Sequence, residues 1–434
     1  MQRVIVIGAG LAGVEASLQL AKRNVAVTLY EMKPNTKSPA HKLDTFAELV
    51  CSNSFRSDNL ENACGLMKAE LRLLDSEVIK AADRFRVPAG SALAVDRDRF
   101  SEYLTELLEI NPLIEILNEE ATAIPEAEIA IIATGPLTSP ALAEDLRRFT
   151  GTESLYFFDA VAPIVDFASI DMQVAYFKNR YDKGDGLYIN CPLTKTEYDT
   201  FYQELVNAEC VQEKDFELKV FEGCMPIEEM ARRGYKTLTY GPLKPVGLTK
   251  PGADRPYAVV QLRQDNLAGT LYNLVGFQTH LTYAEQRRLI RMIPGLGKAN
   301  IVRYGVMHRN TFLNGPKLLH PTYQFKKAAN LFAAGQLSGV EGYVESIGSG
   351  LIAGINAAKL ARGMQTITFP QETTLGAQAH YLANADGDNF QPMNVNFGLL
   401  PPITTQHHKK ERRARFATRS LDSLRQLLEV NHFD

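Results

Sequence analysis

Of the five cysteines in the chain, Cys224 stands where a thiol could do chemistry. It lies in Phe221-Glu-Gly-Cys224-Met-Pro226-Ile-Glu-Glu-Met-Ala-Arg232-Arg233-Gly234. Pro226 suits the first position of a helix, Glu228 and Glu229 its first turn, Arg232 and Arg233 its last, and Gly234 its C-terminal cap. A thiol just ahead of a helix N-terminus meets the positive end of the dipole, which favours the nucleophilic thiolate; Glu228 and Glu229 work against this if they are close. A small buried hydrophobe fits the same pattern. Cys51 sits in Phe46-Ala-Glu-Leu-Val-Cys51-Ser-Asn-Ser-Phe-Arg56, a compact run of small polar groups around a second thiol. No cysteines are spaced as CxxC, and none has a histidine at metal-ligand spacing. Neither a dithiol redox centre nor a metal site is therefore expected, and the odd count points to free thiols in a reducing cytoplasm.

The second chemical constellation opens the chain. Val4 to Ile7 is a β-branched run that reads as a buried parallel strand. It leads into Gly8-Ala9-Gly10-Leu11-Ala12-Gly13, a helical pattern through Lys22, and an apolar strand from Val25 to Tyr30 that ends in Glu31. Gly8 allows a tight turn, Gly10 lets a pyrophosphate approach the backbone, and Gly13 lets the helix pack closely on the strand. The helix N-terminus offers N–H groups and partial positive charge to phosphates. Glu31, 18 residues beyond Gly13, is placed to accept the hydroxyls of an adenosine ribose and to disfavour a 2′-phosphate. The nucleotide expected is FAD or NAD rather than NADP. No second fingerprint follows, because Gly348 to Gly354 has the wrong spacing and no preceding strand, so a nicotinamide would have to visit transiently.

Other elements must position these groups. Helical periodicity runs from Leu66 to about Ala82, and Asp96 starts a helix over Arg99–Leu108. Ala127 to Gly135 reads as a buried strand closing on a small-residue turn beside the nucleotide. Alternating aromatic and polar residues over Tyr156–Val165 and Gln173–Tyr181 predict antiparallel strands, with helices near Glu197–Ala208 and Tyr283–Met292. Ala329 to Gln336 is another apolar strand ending at Gly335. It leads through Glu341, Gly342 and Tyr343 into a small-residue helix whose Gly348, Ser349 and Gly350 would let it approach a flat ligand. At 434 residues two domains are expected. The fold class is α/β: a Rossmann-type (glutathione-reductase-like) FAD-binding domain in two parts, 1–150 and 301–434, with an inserted α+β domain over 151–300. A net charge of −3 excludes a global basic field, so a nucleic-acid site must be local. Two patches qualify: the tail from His407 to Arg419, and Arg287, Arg288 and Arg291 with Lys178, Arg180 and Lys183. No secretory leader or membrane span is evident, and the location expected is cytoplasmic.

FAELVCSNSFRS, VPAGSALAVDRDRF, FEGCMPIEEMARRG, PYAVVQLRQDN, LYNLVGFQTHL, RYGVMHRNTF and AAGQLSGVEGYVESIGSG resemble the folate- and FAD-dependent tRNA uracil-5-methyltransferases of TrmFO type. The resemblance runs from Gly8 to NFGLLPP and the basic tail. It implies FAD held by Gly8, Ala9, Gly10, Leu11, Ala12, Gly13, Glu31, Gly335, Gln336, Glu341, Gly342, Gly348 and Gly350. It further implies methylenetetrahydrofolate as carbon donor, NADH or NADPH as reductant, and transfer to carbon 5 of a uridine in tRNA, in the T-loop at position 54. Cys224 would add to carbon 6 and Cys51 would remove the carbon 5 proton, with the two roles interchangeable. His308, Arg309 and Asn310 resemble folate contacts, with Tyr343 on the substrate side; a structural histidine is the alternative for His308. Cys64 is expected to be structural. The target base must leave its stack to react. The same chemistry on ribosomal RNA, a plain NAD(P)H–flavin oxidoreductase and a non-catalytic tRNA-binding factor are the alternatives.

Overall fold

A computed structural model describes the chain except residues 1, 39, 127, 152–154, 161, 181–187, 212–224, 251, 306, 389, 404–408 and 432–434. For 155–160, 307–309, 409 and 410 the backbone alone is described. Strand β1 (Arg3–Ile7) lies beside β2 (Ala26–Tyr30) on one side and Ile129–Ile132 on the other, both parallel. Ile114–Leu117 extends the sheet beyond β2, while Ala328–Ala333 extends it beyond Ile129–Ile132 and carries the antiparallel edge pair Gln324–Phe325. Val4, Val6 and Ile129 to Ile132 are buried, as a strand covered on both faces requires. Helix α1 (Leu11–Lys22) packs on this sheet and against the helix Tyr343–Ala361. The fit leaves no room for side chains: a Cβ on Gly13 would lie 1.8 Å from Gly8 O, and one on Gly350 2.2 Å from Ala12 O.

A second sheet is wholly antiparallel, in the order Tyr176–Lys178, Tyr188–Leu193, Ala258–Gln264, Leu271–Leu274, Ile164–Asp166 and Ile301–Arg303. The helices Lys195–Val206 and Tyr283–Met292 cover it with Tyr198, Phe201, Leu205, Leu289 and Ile290. That core is separate from the larger one around the parallel sheet. A two-stranded ribbon, Leu155–Ala160 with Met307–Phe312, runs between the two sheets in sequence.

The helix expected over 66–82 is two helices, Ala63–Leu73 and Glu77–Arg84. Asp75 adopts a left-handed backbone (φ 60°), and Ser76 caps the second helix by accepting from Ile79 N at 3.2 Å. The periodicity continues through the break because both helices bury the same apolar side. Asp96 caps the helix Arg97–Glu109, accepting from Arg99 N at 3.1 Å. The basic tail forms the helix Lys409–Asn431, anchored by buried Leu424 and by Ser420, which donates to buried Glu70. Among the described residues, no helix is long and apolar enough to cross a membrane.

Candidate active site

A cavity opens at the carboxyl ends of the parallel strands, where open α/β sheets bind ligands. Gly8, Ala9, Gly10, Leu11, Ala12 and Glu31 line one wall; Ala133 to Thr138, Gly335 and Gln336 line another. Gly8 has φ 99°, and a Cβ there would strike Ala133 O at 2.7 Å. Gly10 is the reverse case: an added Cβ would meet nothing within 4 Å, because the backbone there borders open space. This is a cradle that a side chain would fill, at the helix N-terminus where a pyrophosphate belongs. The Glu31 carboxylate accepts from Ala9 N at 2.8 Å through one oxygen and from Lys33 N at 3.1 Å through the other. Each oxygen keeps a lone pair for a ribose hydroxyl. Burial pushes the Lys33 ammonium down, against the pull of Glu31. The residues present fit FAD.

The remaining expected FAD residues have other neighbours. Gly13 serves the close contact of α1 with the turn before it. Glu341 accepts from Gln336 Nε2 at 2.7 Å and so orients a lining side chain. Gly342 (φ 106°) precedes the Tyr343–Ala361 helix. Gly348 faces Leu375, and Gly350 faces the α1 backbone. Those two glycines let neighbouring elements pack closely, and Tyr343 and Ser346 are the residues of that helix that line the cavity.

Beside the cavity, Leu49 to Ser52 lie in neither helix nor strand, and side chains from elsewhere hold them. Arg97 Nη1 donates to Leu49 O at 2.6 Å and Arg303 Nη2 to Val50 O at 2.5 Å. Cys51 N and Ser52 N donate to Tyr343 Oη at 2.8 and 3.1 Å. Arg263 donates to Ser52 Oγ at 2.6 Å and Asn53 Oδ1 at 3.1 Å, and Asn53 Nδ2 reaches Val95 O and Gln264 O. Tyr343 is therefore a tether for Cys51 as well as a cavity wall; burial pushes its phenol up. Asp265 pairs with Arg97 at 3.0 Å. Burial works against the Arg97 cation, but Asp265, with Tyr343 and Cys51, offsets it and holds the group above its ordinary value. Burial pushes Arg263 and Arg303 down. Sequence reasoning missed these arginines. The available signal was Arg263 itself, the lone charge in the strand Ala258–Gln264, where a charge is costly unless it is used.

Cys224 lies outside the described residues. The helix after it is Ile227–Arg232, preceded by Pro226. Glu228 stands in the first turn, as expected, and is buried. It accepts from His280 N at 2.7 Å and Thr279 Oγ1 at 2.9 Å, and its carboxylate lies 2.7 Å from His280 Nδ1. Burial opposes charge on His280, but hydrogen bonds to Cys210 and Glu228 lift it to about 10. Cys210, Glu228 and His280 are clustered closely enough to suggest a cation site. However, 2.7 Å is an ion-pair contact, shorter than the spacing of two ligands on one ion. Arg232 Nη2 also sits 3.4 Å from Cys210 Sγ.

His308, Arg309 and Asn310 lie on the Met307–Phe312 strand, opposite Asp159, Phe158 and Phe157; the first two side chains are not described. Asn310 is buried, and its Nδ2 lacks a hydrogen-bond partner among the described residues. Cys64 is buried beside Lys68. Of the basic patches, Arg288 is paired with Glu204 and Glu285, and Arg287 donates to Tyr304 Oη. Arg180 donates to Val246 O and Lys244 O, and Lys183 is not described. In the tail, Arg412 and Arg413 line a groove with Arg56 and Phe416.

Residues 3–365 match the family model described as glucose inhibited division protein A. A protein of an Exiguobacterium species, named methylenetetrahydrofolate–tRNA-(uracil-5-)-methyltransferase TrmFO, is 59% identical over 434 residues, covering 99% of both chains. A protein of the same name from Enterococcus faecalis is 58% identical over 431 residues, again covering 99% of each. Among solved structures, Aquifex aeolicus GidA in its form I crystal aligns with TM-score 0.70 at 18% identity, over 98% of this chain and 76% of that one. That likeness shows the fold.

Proposed function

Because the chain belongs to the glucose inhibited division protein A family, in its TrmFO branch, we propose that it methylates carbon 5 of a tRNA uridine. The carbon comes from methylenetetrahydrofolate and the electrons from NADH or NADPH, and the target is the T-loop uridine at position 54. The observation that carries this reading is the adjacency of a dinucleotide cavity and a cysteine segment: Val50 and Tyr343 line the cavity, and Tyr343 also holds Cys51 N.

FAD, when bound, supplies the redox and one-carbon relay chemistry. The chain's own residues do the rest. Gly8 to Gly13 and the α1 N-terminus hold the pyrophosphate, and Glu31 holds the ribose. Ala133 to Gly135, Gly335 and Gln336 wall the cavity at its inner end. One thiol adds to carbon 6 of the uracil, which makes carbon 5 nucleophilic; the other takes the carbon 5 proton. We assign addition to Cys224 and proton removal to Cys51, with folate beside His308, Arg309 and Asn310. We divide the chain at about residues 150 and 300, with the tail helix on the RNA side.

The test is incubation of the FAD-loaded protein with unmodified tRNA, ribosomal RNA, labelled methylenetetrahydrofolate and either nicotinamide, followed by mapping of the label. Label at the T-loop uridine is expected. Label confined to ribosomal RNA, or oxidation of the nicotinamide with no labelled RNA, would overturn the reading.

A further inference from the structure

Arg263 and Arg303 come from two strands of the antiparallel sheet, Ala258–Gln264 and Ile301–Arg303, and converge on one segment of the other part of the molecule. Their anchoring bonds go to neutral acceptors: Ser52 Oγ, Asn53 Oδ1 and Val50 O. Among the described residues, no carboxylate forms an ion pair with either. The nearby Asp265 is committed to Arg97 at 3.0 Å. Glu48, the other carboxylate acting on Arg303, accepts from Lys42 N and Leu43 N, so three guanidinium groups face two carboxylates, both already engaged. Arg303 Nε is buried with no hydrogen-bond partner among the described residues. Buried cations are normally paired, and a buried donor without an acceptor is costly, so this surplus calls for an anion that arrives during the reaction. Cys51 lies within electrostatic reach of Arg97 and Arg263.

We propose that Arg263 and Arg303 form an oxyanion site beside Cys51 that holds the C4 carbonyl oxygen of the pyrimidine. This rests on the reading of Cys51 as part of a uridine-modifying centre. When a thiolate adds to carbon 6, its electron pair forms the S–C6 bond. The C5–C6 π pair shifts onto carbon 5 and, by conjugation, onto the C4 carbonyl oxygen. No electron is gained or lost overall; the negative charge moves from sulfur to that oxygen. Donors fixed in advance where charge develops stabilise it most strongly. The argument holds whichever cysteine performs the addition.

The experiment compares two alkylating reagents at Cys51, anionic iodoacetate and neutral iodoacetamide, with peptide-resolved mass spectrometry. The iodoacetate/iodoacetamide rate ratio is normalised to 2-mercaptoethanol, so that overall thiol reactivity cancels. In the unaltered FAD-loaded protein the normalised ratio should exceed one. It should fall roughly tenfold in Arg263→Gln and in Arg303→Gln, the order expected for one nearby unit charge. Arg263→Lys should keep most of the preference. A ratio at or below one in the unaltered protein overturns the proposal without any variant. So does an unchanged ratio in both Gln variants. Two protection arms identify the oxygen: a T-arm RNA hairpin should block iodoacetate, whereas protection by tetrahydrofolate alone would move the site to the folate carboxylates and overturn the assignment. If the ratio behaves as expected but Cys51→Ser still methylates tRNA at full rate, the anion site stands and the role given to Cys51 falls.

Discussion

Gly10 and Gly13 stand three residues apart in one motif, and the structure gives them opposite consequences. At Gly13 an added methyl would lie 1.8 Å from Gly8 O, and both partners are backbone. Restoring an ordinary contact of about 3.3 Å requires α1 to move roughly 1.5 Å from the turn, within a core where overpacking costs typically ~1–3 kcal/mol. Because neither side can rotate away, Gly13→Ala should cost at least about 3 kcal/mol. Gly10 has φ −74°, open to any residue, and nothing within 4 Å of an added Cβ. Gly10→Ala should leave the FAD-free protein as stable as before or stiffen it by about 0.4–1 kcal/mol, since alanine restricts the unfolded chain. Its methyl would occupy the path of the pyrophosphate, so FAD affinity should fall at least about tenfold, or ~1.4 kcal/mol. Urea unfolding of flavin-stripped protein by circular dichroism reads the first effect, and titration with FAD by flavin fluorescence reads the second. An unchanged midpoint for Gly13→Ala, or unaltered FAD affinity for Gly10→Ala, would refute the reasoning.

Three further outcomes follow from the same geometry. Tyr343→Phe removes the acceptor for Cys51 N and Ser52 N; we expect a loss of about 1–3 kcal/mol and at least about tenfold slower tRNA methylation, with the flavin absorbance retained. A methylation rate equal to that of the unaltered protein would show that the tether is dispensable. Asp265→Asn strands the buried Arg97 cation, at a cost of about 3–5 kcal/mol in urea unfolding; no shift in midpoint would count against the pair. His280 is lifted from 6.5 to about 10 in the folded protein. The folded state therefore holds a proton that the unfolded chain has lost between those values, so this stabilisation is complete below about 6.5 and disappears as pH rises through 10. His280→Gln should flatten the fall in stability across that window; unaltered slopes would exclude the charged histidine.

The nucleotide cradle was legible because its chemistry is local. Gly8, Gly10, Gly13 and Glu31 belong to one strand–turn–helix–strand unit, and their spacing within it carries the signal, although the backbone that crowds Gly8 is that of Ala133 on a distant strand. The small-residue helix at Tyr343–Ala361 was less legible for an equally physical reason. A glycine needed for close approach to a ligand and one needed for close approach to a helix look the same in sequence, and Gly348 and Gly350 are of the second kind. Glu228 looked like a favourable first-turn acid, yet it is buried against His280, because the partner that decides its surroundings lies 52 residues away.

The Cys51 segment is the extreme of this non-locality, and it bears on how the two sheets work together. Its holders lie far along the chain: Arg263 is 211 residues from Ser52, Arg303 is 253 from Val50, and Tyr343 is 292 from Cys51. A segment without its own ladder pays the full entropy of ordering, roughly 1–2 kcal/mol per residue, unless distant groups fix it. Five residues, Leu49 to Asn53, are fixed here by side chains from the Arg97–Glu109 helix, two strands of the antiparallel sheet and the Tyr343–Ala361 helix. Arg97 and Tyr343 thus begin a set of tethers that the antiparallel sheet completes through Arg263 and Arg303. Docking of that sheet also brings the surplus positive charge of Arg263 and Arg303, so geometry and electrostatics at Cys51 are completed together. Weakening that docking at a point remote from Cys51 should therefore lower tRNA methylation and the iodoacetate preference together, while FAD, held by the local cradle, stays bound.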